Sequence, residues 1–105
     1  MSDVDLRDLT EVDRLIHEPA RLVITTILYT VREADFTFLQ HESGLTGGNL
    51  SSHLSKLEEA GYINIRKIFK DKKPQTLCSM TPKGRSAFEE YRNHFKKIMQ
   101  KMNGE

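Results

Sequence analysis

The chain has 105 residues, 37% of them hydrophobic and 30% charged, the composition of one solvated globular domain with room for a single modest core. No apolar run approaches the roughly 20 residues of a membrane span, the acidic start is no signal peptide, and the single Cys78 can form neither an internal disulfide nor a cysteine-based zinc site, so the expected location is cytoplasmic. The net charge of +1 hides an asymmetry: over residues 1–18 Arg7 and Arg14 stand against Asp3, Asp5, Asp8, Glu11, Asp13 and Glu18, whereas over residues 62–85 Arg66, Lys67, Lys70, Lys72, Lys73, Lys83 and Arg85 stand against Asp71 alone. A local basic patch on a nearly neutral protein is what a polyanion footprint looks like, and also what a solvated lysine-rich loop looks like.

Residues 1–8 read as a frayed acidic lead-in. Leu9, Val12 and Ile16 carry a short helical period, which predicts a first helix over Thr10 to His17. Pro19 is placed to open a second helix, where its missing N–H costs nothing. Leu22, Val23, Ile24, Ile27, Leu28 and Val31 give that helix, Pro19 to Arg32, a wide apolar arc suited to the centre of the core. Phe36 is expected in a very short strand, with Thr37 capping a third helix over Phe38 to Ser43. Gly44 ends it.

Leu50, Leu54 and Leu57 then make one stripe of a fourth helix apolar, with Thr46 as N-cap and Gly61 as the glycine beyond its end. The opposite side carries Gly48, Asn49, Ser52, Ser55 and Lys56, small or hydrogen-bonding residues with one cation. A helix in a DNA major groove needs little bulk at its leading end, and donors and acceptors for base edges. An ordinary amphipathic helix with a serine-rich outer face has the same pattern. The sequence of helix, tight glycine-containing turn and helix is the helix-turn-helix signature.

After Gly61 the period changes. Tyr62, Ile63, Ile65, Ile68 and Phe69 predict a strand, Lys70 to Pro74 a turn, and Thr76 to Met80 a second strand. The imperfect alternation from Arg66 to Phe69 predicts a bulge or a register change. A hairpin with a basic tip directly after a recognition-helix candidate is a wing, able to lie along phosphates or enter a minor groove. Thr81-Pro82 starts a last helix. In it Phe88, Tyr91, Phe95, Ile98 and Met102 alternate steps of three and four. Such a stripe calls for a second copy across a two-fold axis, or else for the first helix of its own chain.

Together these elements define an α+β, mostly helical fold. It is a winged helix-turn-helix with a two-stranded β wing and a long C-terminal dimerisation helix, in one domain over 1–105 (core 9–80, last helix 81–105). The chain resembles the winged helix-turn-helix transcriptional regulators near the MarR and ArsR branches, over about His17 to Tyr91. Four pieces carry the resemblance. They are His17-Glu18-Pro19-Ala20-Arg21, the stretch Leu45 to Tyr62, the wing tip Lys70 to Thr76, and Thr81-Pro82-Lys83-Gly84-Arg85 after Met80.

The resemblance implies a homodimeric, sequence-specific double-stranded DNA-binding regulator, usually a repressor. On this chain Thr46, Gly48, Asn49, Ser52, His53 and Lys56 would face DNA, and Lys70, Lys72 and Lys73 would serve the wing. Phe88, Tyr91, Phe95, Ile98 and Met102 would form the dimer contact. No cysteine lies near the recognition helix, which disfavours thiolate metal sensing of the ArsR type. The chain is also shorter than typical MarR proteins, which bears against the usual effector pocket and leaves a small-molecule effector unassigned.

Enzymatic chemistry has little to stand on. Glu58-Glu59 and Glu89-Glu90 are neighbours on helices, so each pair diverges. Gly47-Gly48 lacks the following Lys-Ser/Thr of a phosphate loop. His17, His41, His53 and His94 are scattered; His17 with Asp13 makes at most half a metal site, and a packed role for it is simpler. Cys78 reads as a small strand hydrophobe, since redox sensing needs a lowered pKa. No catalytic, metal or cofactor residue is assigned, and no membrane contact. The rival reading is a winged-helix protein–protein interaction module without DNA binding, for which net +1 speaks.

Overall fold

The computed structural model describes residues 6–105, without the side chains of Leu6, Asp8 and Leu9; residues 1–5 of the acidic lead-in lie outside the described residues. The predicted helix over Thr10 to His17 does not form. Leu6–Glu11 is a short 3-10 helix. Asp13 then diverts the backbone: its Oδ1 accepts from the amides of Leu15 at 2.9 Å and Ile16 at 3.1 Å. Such a local side-chain acceptor competes with the helical ladder. Of the apolar residues of the period whose side chains are described, Val12 and Ile16 are nevertheless buried, both entering the core.

Helix α1 spans Pro19–Val31. Glu18 caps it, accepting from Ala20 N at 2.9 Å and Arg21 N at 3.2 Å. Ile24 and Leu28 are fully buried, and so is Thr25. The Thr25 hydroxyl donates back to the Arg21 carbonyl at 2.8 Å, so its burial leaves no polar group unpaired. Strand β1 is Glu33–Asp35, and helix α2 is Phe36–Ser43. Asp35 and not Thr37 caps α2, accepting from Phe38 N at 2.7 Å. Aspartate outranks threonine as an N-cap, and the helix starts at Phe36 in consequence.

Helix α3, Gly47–Glu59, keeps the predicted ends. Thr46 Oγ1 accepts from Asn49 N at 3.2 Å. At the other end Tyr62 N donates to Leu57 O and Gly61 N to Glu58 O, both at 2.9 Å. This double closure requires a left-handed residue, and Gly61 supplies it with φ 80°. Leu50, Leu54 and Leu57 are buried against Ile24, Leu28, Leu39 and Ile63.

Strands β2, Ile63–Lys70, and β3, Lys73–Met80, form the wing hairpin. The sheet has three strands in the order β1-β3-β2, all antiparallel, so the predicted two-stranded wing has β1 added at its base. The register runs unbroken from Ile63 opposite Met80 to Lys70 opposite Lys73, and the predicted bulge is absent. Asp71 and Lys72 both have positive φ, 53° and 64°, the two-residue turn that fixes hairpin register by itself. The irregular alternation has another cause. Beyond Arg66 the hairpin leaves the core, and both its faces are largely solvated.

Helix α4 spans Pro82–Met102, capped by Thr81 Oγ1 on Gly84 N at 3.0 Å. Its first turn is locked to the start of β2. Thr81 N donates to Tyr62 O at 3.0 Å and Thr81 Oγ1 to Gly61 O at 2.6 Å. A Cβ on Gly84 would lie 2.1 Å from the Tyr62 carbonyl oxygen, so only glycine fits there. The α4 stripe is divided between two environments. Phe88, Tyr91 and Ile98 are buried in their own chain, in a cluster with Val12 and Ile16. Phe95, at 40% exposure, and Met102, at 72%, remain outward with Met99. The first three are therefore already covered, because the N-terminal segment lies along the helix.

Candidate nucleic-acid interface

Burial of one side of α3 decides the other. With Leu50, Leu54 and Leu57 inward, Thr46, Gly48, Asn49, Ser52, Ser55 and Lys56 are all exposed. Beyond the Thr46 capping bond, none of these side chains has a hydrogen bond or ion pair among the described residues. Nothing lies within 4 Å of where a Cβ on Gly48 would stand, so the leading end of α3 is open to close approach.

His53 is the exception among the residues assigned to this face. Its Nδ1 lies 3.1 Å from Arg21 Nη1 and 3.4 Å from Glu18 Oε2, with the side chain 20% exposed. It sits one position before Leu54, at the edge of the apolar stripe, and the α1 start folds over that edge. His53 thus joins the recognition helix to α1 instead of pointing out. Partial burial works to raise the Glu18 pKa, but the amides of Ala20 and Arg21, then His53 and the Arg21 guanidinium, bring it below the ordinary carboxylate value.

The structure also divides the basic segment. Arg66 is spent on Glu33, at 3.1 Å across the sheet. Lys83 stands over the Tyr62 ring at 5.8 Å from its centroid, and Arg85 over Tyr29 at 4.5 Å. Lys67, Lys70, Lys72 and Lys73 are exposed and unpaired among the described residues. The last three form the tip, as assigned from sequence. Lys67 was missed. Strand alternation could have found it, since it shares a face with Ile65. Ile65, Lys67 and Thr76 of the wing and Ser51, Leu54, Ser55 and Glu58 of α3 line one groove of about 520 Å³. The wing's inner face and the recognition helix thus flank a single channel.

The remaining candidates are structural. His17 Nδ1 is 2.7 Å from the Tyr91 hydroxyl. Asp13, its proposed partner in half a metal site, uses Oδ1 on the backbone and accepts from the Tyr62 hydroxyl through Oδ2. Burial, together with that bond to Asp13, pushes the Tyr62 pKa up to about 12. Cys78 is fully buried, and burial, with the Glu58 charge, pushes its thiol up to about 11, so it stays protonated at neutral pH. That environment opposes a reactive thiolate.

The fold and the exposed face of α3 define a winged helix-turn-helix. The family model of the winged helix DNA-binding domain matches residues 20–99. An uncharacterized protein of Methanocaldococcus jannaschii is 35% identical over 78 residues, covering 74% of this chain and 85% of that protein. A transcriptional regulator homologue from Pyrococcus horikoshii OT3 superposes with a TM-score of 0.87 at 28% identity, over 92% of this chain and 98% of that one. A MarR-family regulator from Enterococcus faecalis V583 shares the fold at a TM-score of 0.73 and 16% identity, covering 99% and 96%. The chain belongs to the winged helix DNA-binding domain family. Family and fold make it a DNA-binding regulator and not an enzyme. No helix among the described residues is long and apolar enough to cross a membrane.

Proposed function

We propose that this protein is a cytoplasmic, homodimeric transcriptional repressor that reads a palindromic site in double-stranded DNA. The observation that carries this reading is the unengaged polar face of α3 beside four unpaired wing lysines. Asn49 is placed to bond a base edge, adenine being its usual partner, with Ser52 beside it. Thr46 and Gly48 allow the helix start to approach the groove. Lys56 and the wing lysines neutralise phosphates, which gives affinity and register without sequence information. A bound dimer occludes the DNA it covers, so repression is the direct outcome.

Support for the dimer is narrower than the full α4 stripe. Phe95, Met99 and Met102 are exposed on one helix. Phe95 also borders an apolar cleft of about 260 Å³ lined by His17, Glu18, Pro19, Leu22 and Tyr91. A second copy's α4 would cover both. The test is selection from randomised duplex DNA, followed by anisotropy titration of the enriched sequence at two salt concentrations. An enriched palindrome with half-sites about one helical turn apart, bound with steep salt dependence, is the expected result. Absence of binding at low salt would overturn the reading.

A further inference from the structure

Phe69 is 78% exposed, the most exposed of the large hydrophobic residues described. It stands directly opposite Pro74 in the hairpin register, one rung back from Lys70 and Lys73. The two-residue turn makes the Lys70–Lys73 rung a hydrogen-bonded pair and the Phe69–Pro74 rung a non-hydrogen-bonded one, in which side chains stand closest. The missing N–H of Pro74 therefore points off the open edge of β3, beyond β1, which pairs only with Leu77 to Ser79. The proline costs the β2–β3 ladder nothing and leaves a stiff apolar pair just behind the tip.

The face matters as much as the exposure. Ile65, Lys67 and Phe69 alternate onto one face of β2. Ile65 and Lys67 line the groove against α3. Phe69 thus extends the wall that faces the recognition helix, out past the protein's own core. Its flanking cations, Lys67, Lys70, Lys72 and Lys73, are all unpaired among the described residues, and they outnumber the one exposed carboxylate of the tip, Asp71. An apolar contact ringed by free cations matches a partner with an apolar interior and a polyanionic shell, and a base stack inside a phosphate backbone is that partner.

We propose that Phe69, backed by Pro74, is an apolar wedge that enters the minor groove beside the recognition helix and partly unstacks a base step, so that the protein bends the DNA it binds. The wedge presupposes the DNA contact proposed above and adds to it a source of sequence preference that needs no base hydrogen bond. Pyrimidine–purine steps open most easily, and the site preference at the wedge position follows from that deformability.

The test uses the full chain and the duplex recovered by selection, with dyes at its two ends for energy transfer and 2-aminopurine placed at successive positions. The wild type is expected to shorten the end-to-end distance and to raise 2-aminopurine fluorescence at one step. Phe69→Ala is expected to bind about tenfold more weakly, with the same salt slope, no fluorescence rise and a nearly straight duplex, because the cost of opening one step is no longer repaid. Phe69→Leu, still an apolar wedge, is expected to keep part of the bend. Equal bending by Phe69→Ala, or wild-type binding to straight, fully stacked DNA, would overturn the wedge while leaving the DNA reading intact. A wild type that binds no duplex would overturn both. Altered oligomeric state of Phe69→Ala in sedimentation, with bending unchanged, would assign the ring to contact between copies and also overturn the wedge.

Discussion

The two ends of the β2–β3 hairpin are built from opposite principles. At its base, Tyr62 is held through its carbonyl by Thr81 N, through its hydroxyl by Asp13, and through its ring by Lys83. Gly84 lies so close to the Tyr62 carbonyl that no other residue fits. At the tip, some eight residues away, Lys70, Lys72 and Lys73 have no intrachain partner among the described residues, and Phe69 is in water. The base fixes where the hairpin points, and the tip keeps its groups for something else. Stability and binding are thereby assigned to different residues of one element, and substitutions should separate them.

The largest effect expected is at the base. Gly84→Ala should cost about 2–3 kcal/mol, because the new methyl must displace backbone that is pinned by two hydrogen bonds. Thermal denaturation checks this. Replacing Lys70, Lys72 and Lys73 together with Ala should do the reverse. Stability should change by less than about 0.5 kcal/mol, since these are solvated side chains away from any packed contact. Binding should weaken on all duplexes alike, with the salt slope falling by up to about 3 if each lysine meets a phosphate. A slope that stays unchanged would remove the tip from the interface.

Asn49→Ala should be silent in denaturation but cost about 1–3 kcal/mol at the selected site and relax one base position, read by competition with single-base variants. An Asn49→Ala protein that discriminates fully would transfer base reading to Ser52. The smallest effect is a pH effect at the base. The Tyr62 pKa is raised in the fold to about 12 from 10, so its contribution is fully present below pH 10 and is lost as pH rises towards 12. The wild type should lose stability over that interval more steeply than Tyr62→Phe, which itself should cost about 1 kcal/mol at neutral pH by leaving Asp13 short of a donor.

Legibility in the sequence followed the range of the interactions. The α3 helix was readable to the residue because its caps and its leucine stripe are local: Thr46, Gly61 and the Leu50-Leu54-Leu57 spacing each act within one or two turns. The wing was readable as two β runs about a polar turn. Its register was not, because the positive φ of Asp71 and Lys72 is carried by residues that do not announce it. The first helix was misread where Asp13 turned its carboxylate onto its own backbone, a competition that hydrophobic spacing does not record. Asp35 displaced Thr37 as a cap for the same kind of reason.

By itself the sequence determined the order of elements from α1 onward, the face of α3 that avoids water, and the position of the basic tip, since periodicity, caps and turn residues are properties of neighbouring residues. Only the tertiary structure decided which polar groups are still free. It turned His53 in towards Arg21 and Glu18, spent Arg66 on Glu33, and covered Phe88, Tyr91 and Ile98 with the chain's own N-terminal segment. Each of these partners is at least 30 residues distant in sequence, and no local pattern encodes such a meeting. The fold brings them together as the two apolar clusters are buried between the helices, the sheet and the N-terminal segment.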